Sequence, residues 1–112
     1  MTMKRRALPV LLERDFRKMA ASEGATVEIE CVSAPDPKGR FSGEWLFYVV
    51  SSTGERFLLV TALARERVVN SPIGMFGLAF GKLNLDHLDV TAVAGDVRRG
   101  MRSRPGGSDP LD

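Results

Sequence analysis

The 112-residue chain is poor in the residues that make chemistry legible: one cysteine, Cys31, one histidine, His87, one tryptophan and one tyrosine. A lone cysteine cannot close an internal disulfide, so a reducing compartment is expected. A lone histidine, with no cysteine near it in sequence, does not make a zinc site. No apolar run approaches the roughly 18 residues of a membrane-crossing helix. The first apolar stretch ends at Leu12 against Glu13, Arg14 and Asp15, too early for a secretory signal. The expectation is a cytoplasmic protein with no membrane partner. Gly81-Lys82-Leu83 lacks both the Ser/Thr and the glycine spacing of a phosphate-cradling loop. His87 lies between Asp86 and Asp89 without a serine or cysteine in a nucleophile context. The expectation is therefore no catalytic residue, no metal, no cofactor and no enzyme activity.

What is present is an ordinary globular composition, 44% hydrophobic and 27% charged. That suits one domain with a modest core. The net charge of +2 is unevenly spread: residues 1–22 carry +4, residues 23–96 carry −4 and residues 97–112 carry +2. Basic ends on an acidic body either keep the protein soluble or touch phosphates or an acidic partner. The candidates for such contacts are Lys4, Arg5 and Arg6 in an arm over 1–7, and Arg98, Arg99, Arg102 and Arg104 in a basic tail over 96–112. The tail is read as disordered because it is rich in Arg, Gly, Ser and Pro without apolar period.

Between these ends, residues 8–95 read as a single α+β domain in the order α-β-β-β-α-β. Leu8, Leu12, Phe16 and Met19 form one stripe, with Pro9 at a first turn and Gly24 as a stop, so a helix is predicted over about 9–22. Thr26–Val32 alternates, with Val27, Ile29 and Cys31 on the inner side and Glu28 and Glu30 on the wet one. A long loop is predicted from Ser33 to Glu44. A hairpin follows, turning through Ser52, Thr53 and Gly54 as a type I turn with a bulge, which pairs Ser51 with Glu55. Ser71 and Pro72 open a second helix over about 72–83, whose stripe is Ile73, Phe76, Phe80 and Leu83. Leu88–Val93 reads as the last strand. Loops rather than helices join the three central strands, so the sheet is predicted as four-stranded and mainly antiparallel, with two helices on one face.

Two features ask for a partner. The hairpin places Trp45, Phe47, Val49, Phe57, Leu59 and Thr61 on one face. It places Leu46, Tyr48, Val50, Arg56, Leu58 and Val60 on the other. Two helices on one side leave the second set to be covered by the helices' own wrap, by a second copy of the chain, or by another protein. It is the candidate partner interface. Gly74, Gly77 and Gly81 form a small-residue stripe on the second helix, which suits close approach to the sheet or to another helix. The strand aromatics Trp45, Phe47, Tyr48 and Phe57 read as core rather than as a stacking platform, because only Arg56 interleaves with them.

The run from Gly43 to Ala92, GEWLFYVVSSTGERFLLVTALARERVVNSPIGMFGLAFGKLNLDHLDVTA, resembles the body of small plasmid-borne, partition-associated accessory proteins of Gram-negative bacteria. The likeness is one of pattern over 43–93: strand, turn, a strand ending near LLVTA, an arginine-bearing turn, a short helix and a final strand. The glycine-rich helix departs from it. The resemblance implies a non-catalytic accessory protein in plasmid maintenance, partition or regulation, and it carries over no functional residue. With the termini and the sheet face, the expected function is a homodimeric or partner-binding module acting on DNA or a protein. The alternative is a protein-only inhibitor or adaptor that touches no nucleic acid.

Overall fold

The computed structural model describes residues 9–36, 38, 42–63 and 65–101. The α+β class holds, but the sheet is larger and mixed. Six strands run in the order β1-β4-β3-β2-β6-β5. They are β1 (Val10–Leu12), β2 (Thr26–Asp36), β3 (Ser42–Val50), β4 (Arg56–Val60), β5 (His87–Leu88) and β6 (Val97–Met101). Helix α1 is Glu13–Ala20. Helix α2, Pro72–Phe76, runs on directly into a π-helical segment, Gly77–Lys82.

The first helix starts later than its stripe predicts. Val10, Leu11 and Leu12 pair in parallel with Leu58, Leu59 and Val60, and the Leu58 N–H donates to the Pro9 carbonyl at 3.0 Å. An apolar β-branched start beside an open strand edge gains more from ladder bonds than from one more helical turn. Glu13 and Asp15 then occupy the positive end of α1, and Arg17 and Lys18 its negative end, as the helix dipole favours.

The hairpin follows its turn chemistry. Gly54 has φ +94°, its N–H donates to Ser51 O, and Ser51 N–H donates to Glu55 O at 2.8 Å. That loop fixes Tyr48 opposite Leu58 and Val50 opposite Arg56, the register that separates the two face sets. Strand β2 runs on to Asp36, into the segment expected to be loop. Beyond Leu58 the strands splay. Residues 65–69 fold back between them, with Val60 bridging Glu66 and Trp45 bridging Val69.

Two expectations at the C-terminal side are corrected. The strand predicted over 88–93 is only His87–Leu88. Residues 97–101, expected in a disordered tail, form β6 and pair with β2 as Val27–Gly100, Glu28–Arg99, Ile29–Arg98 and Glu30–Val97. What holds β6 is backbone pairing, which leaves no apolar alternation to read. A Cβ at Gly100 would fall 2.5 Å from Leu85 Cδ1, so a larger residue there needs the Leu85 side chain to move. The Trp45 indole N–H donates to the Thr91 carbonyl at 2.9 Å, tying the intervening loop to β3.

Both helices lie on one face of the sheet. Phe16, Val27, Ile29, Cys31, Trp45, Phe47, Val49, Leu59, Met75, Leu78 and Leu83 make one core there. Burial raises the Cys31 thiol pKa, so the group is a protonated hydrophobe. The opposite face holds a second, smaller cluster of Leu46, Tyr48, Leu58 and Val60, at 3–7% exposure. These four side chains leave water within a single chain, which removes the surplus exposed surface on which the partner-interface expectation rested. Arg56 lies 3.6 Å over the Tyr48 ring and pairs with Glu28 at 2.9 Å. The Tyr48 hydroxyl donates to Glu30 at 2.6 Å.

The second helix is rotated relative to its predicted stripe. Met75, Leu78, Ala79 and Leu83 are buried, whereas Ile73, Phe76 and Phe80 are 84%, 49% and 43% exposed. The segment is apolar nearly all round, so spacing alone could not choose the buried side. From Gly77 the turn widens, with Leu83 N–H donating to Leu78 O at 2.9 Å, and the α-helical angles behind the stripe no longer apply.

Candidate anion-binding site

Arg14, Arg17 and Lys18 recur at i, i+3 and i+4 on α1 and so share one side of it. The fold sets that side against the end of the π-helical segment. The Arg17 Nε–H donates to the Lys82 carbonyl at 3.1 Å, which joins the two helices. Between them is an open concavity of about 330 Å³, lined by Arg14, Arg17, Lys18, Ala21, Lys82 and Asn84. Asn84 has φ +57°, a left-handed conformation that asparagine tolerates, and it turns the chain away after Leu83.

Among the described residues, four cations line this concavity and no carboxylate does. One of the lining cations, Lys82, is shared with an acid, Glu13. Glu13 accepts from Arg67 at 2.9 Å and lies 3.4 Å from the Lys82 ammonium. Those hydrogen bonds, Arg67 first, hold its pKa below the ordinary carboxylate value against a smaller desolvation cost. Glu13 is thus shared between two cations and leaves the concavity with surplus positive charge. An open pocket of that kind can hold a phosphate or sulfate group through charge-assisted hydrogen bonds. Among the described residues no three His, Cys, Asp or Glu side chains come together as a metal site.

The residues singled out from sequence fall elsewhere. Lys4, Arg5, Arg6, Arg102 and Arg104 lie outside the described residues, as do the 1–7 arm and the tail beyond Met101. Arg98 is on β6 but pairs with Asp96 at 3.0 Å and lies 3.8 Å from Asp89, so its charge is largely spent inside the chain. Arg99 is exposed and lies opposite Glu28 in the ladder, on the sheet face away from the helices. The two are not brought together with each other. Of the interface set, Leu46, Tyr48, Leu58 and Val60 are buried, and Val50 and Arg56 are half-buried.

Residue spacing marks Arg14, Arg17 and Lys18 as one basic side of a helix. Lys82 is 64 positions beyond Lys18 and joins them only through the fold. Nothing among protein-family models, curated proteins or solved structures matches this chain. No helix among the described residues is long and apolar enough to cross a membrane.

Proposed function

We propose that the chain is a non-catalytic binding module that holds the phosphate backbone of a nucleic acid in the concavity between α1 and the π-helical segment. The observation that carries this reading is the convergence of Arg14, Arg17, Lys18 and Lys82 on one open hollow with no carboxylate in its lining among the described residues. Four clustered cations on a small domain raise the local concentration of a polyanion and make its binding depend on salt. The expected contact therefore moves from the chain ends to the helix layer. The setting in plasmid maintenance, partition or regulation rests on the sequence resemblance over 43–93.

Binding of a labelled oligonucleotide at rising salt tests the reading. If the four cations each displace a counterion, the logarithm of affinity falls against the logarithm of salt with a slope of about −3. Arg14→Glu with Lys18→Glu should abolish binding in a protein that stays folded, since both side chains are exposed. Unchanged binding in that variant would remove the concavity from the account.

A second reading has its own observation. Val10 and Leu12 on the edge strand β1 are 47% and 48% exposed and lie beside Leu58 and Val60 on the sheet face without helices. An apolar edge continuous with a buried cluster suits a protein adaptor or a second copy of the chain. Val10→Lys with Leu12→Lys, read by light scattering and partner capture, separates that role from nucleic-acid binding.

A further inference from the structure

We infer that the nucleic acid is single-stranded, with its bases lying on the exposed Phe76–Phe80 ledge while its phosphates occupy the basic concavity. This rests on the reading of the concavity above and adds a second surface to it.

Phe76 and Phe80 are about half exposed, with ring centroids 5.8 Å apart and planes tilted by 30°. Together they make a short aromatic ledge on the outer side of the helix layer. Lys82, which lines the concavity, is two residues beyond Phe80 on the same segment. Gly81 separates them. A Cβ at Gly77 or Gly81 would meet nothing within 4 Å, so the helix backbone is open to solvent at both. Phe80 and Lys82, two residues apart, project from opposite sides of the segment, so a strand held at Lys82 crosses the outward backbone at Gly81 to reach the rings.

The chemistry favours this occupant. Residues 68–81 carry no charged side chain, so the segment that presents the rings is itself apolar. Cations on one flank and exposed aromatic rings on the other are the two elements of sequence-tolerant single-strand binding. A duplex keeps its base faces stacked and has nothing to lay on the rings. A planar anionic lipid surface would meet Ile73 and the rings but could not follow the hollow where Arg17 is anchored to the Lys82 carbonyl.

The test uses the full chain with fluorescein-labelled oligothymidine, a labelled duplex of mixed sequence, and vesicles of phosphatidylcholine with phosphatidylserine. Phe76→Ala with Phe80→Ala should weaken oligothymidine binding by about tenfold or more, with duplex binding unchanged. Phe80→Trp should retain it, because a larger ring still stacks. Circular dichroism confirms that the variants are folded. If the charge-reversed protein (Arg14→Glu, Lys18→Glu) loses oligothymidine while the double alanine variant binds as wild type, the ledge is wrong and the concavity stands. If wild-type protein binds no oligonucleotide at low salt, or binds only the vesicles, both are wrong.

Discussion

The β3–β4 hairpin and the segment from Ser71 to Lys82 are the two most apolar stretches of the chain, and they end in opposite states. The hairpin reads as two-faced and in need of cover, yet Leu46, Tyr48, Leu58 and Val60 are buried. The helix reads as amphipathic with its stripe inward, yet Ile73, Phe76 and Phe80 face out. The difference teaches where the greasy surplus lies. On the helix layer it stands open at Ile73, Phe76 and Phe80, whereas the paired part of the ribbon packs its own away. Apolar content marks a segment as one that must be packed or used. Which of the two follows depends on what the topology brings beside it.

The sharpest way to break this contrast is to truncate one side chain from each stretch. Leu58→Ala should cost about 2–5 kcal/mol of unfolding free energy, because it leaves a cavity in the second cluster. Phe76→Ala should change stability by no more than about 0.5 kcal/mol, since the ring is half in water. Urea titrations of both decide it. Equal effects would mean that the two stretches are packed alike.

Next in size is Tyr48→Phe, which removes the hydroxyl bond to Glu30 and should cost about 1–2 kcal/mol. It also has a pH signature. Burial first, then the Glu30 bond and its charge, raises the phenol pKa well above the ordinary value of about 10. The contribution is fully present below pH 10 and is lost as pH rises above it, because only the unfolded phenol ionises there. Stability measured from pH 9 to pH 11 should fall more steeply in wild type than in Tyr48→Phe.

A smaller effect of opposite sign comes from Gly77→Ala. A Cβ there meets nothing, so the substitution should stabilise by about 0.5–1 kcal/mol through helix propensity alone. A loss would show that the glycine is packed. Glu13→Gln should cost about 0.5 kcal/mol, a partly exposed ion pair's worth. The Glu13 pKa is depressed, so its contribution is present above the ordinary carboxylate value and disappears as pH falls through the folded one. The acid limb of the stability profile should flatten in the variant. Oligonucleotide affinity should rise, because Lys82 and Arg67 lose their shared anion.

How much of this was legible follows from the range of each signal. The hairpin register was legible because Gly54 and strand alternation are local. The inward side of β2, with Val27, Ile29 and Cys31, was legible for the same reason, whereas Glu28 and Glu30, read as a wet side, are half-buried against Arg56 and Tyr48. Strand β6 was not legible, because Val97-Arg-Arg-Gly-Met is held by backbone bonds to β2 that need no apolar side chain. The inward face of the second helix was not, because a segment with Ile73, Met75, Phe76, Leu78, Ala79, Phe80 and Leu83 is apolar at nearly every angle. The widened turn from Gly77 then shifts those angles. Three of the four cations share one side of α1 by spacing, but the net charge points to the chain ends instead. The hollow was not legible, since Lys82 reaches it through a bond from Arg17 to a backbone carbonyl.

Backbone amide shifts of the uniformly labelled protein, followed while oligothymidine is titrated in at low salt, test the central claim most directly. The account predicts perturbations confined to Arg14–Ala21 and Phe76–Asn84, with β1, β2 and β6 unmoved. Perturbations centred on the sheet face of Leu46, Tyr48 and Leu58, or on Arg98 and Arg99 with none at Lys82, would contradict it.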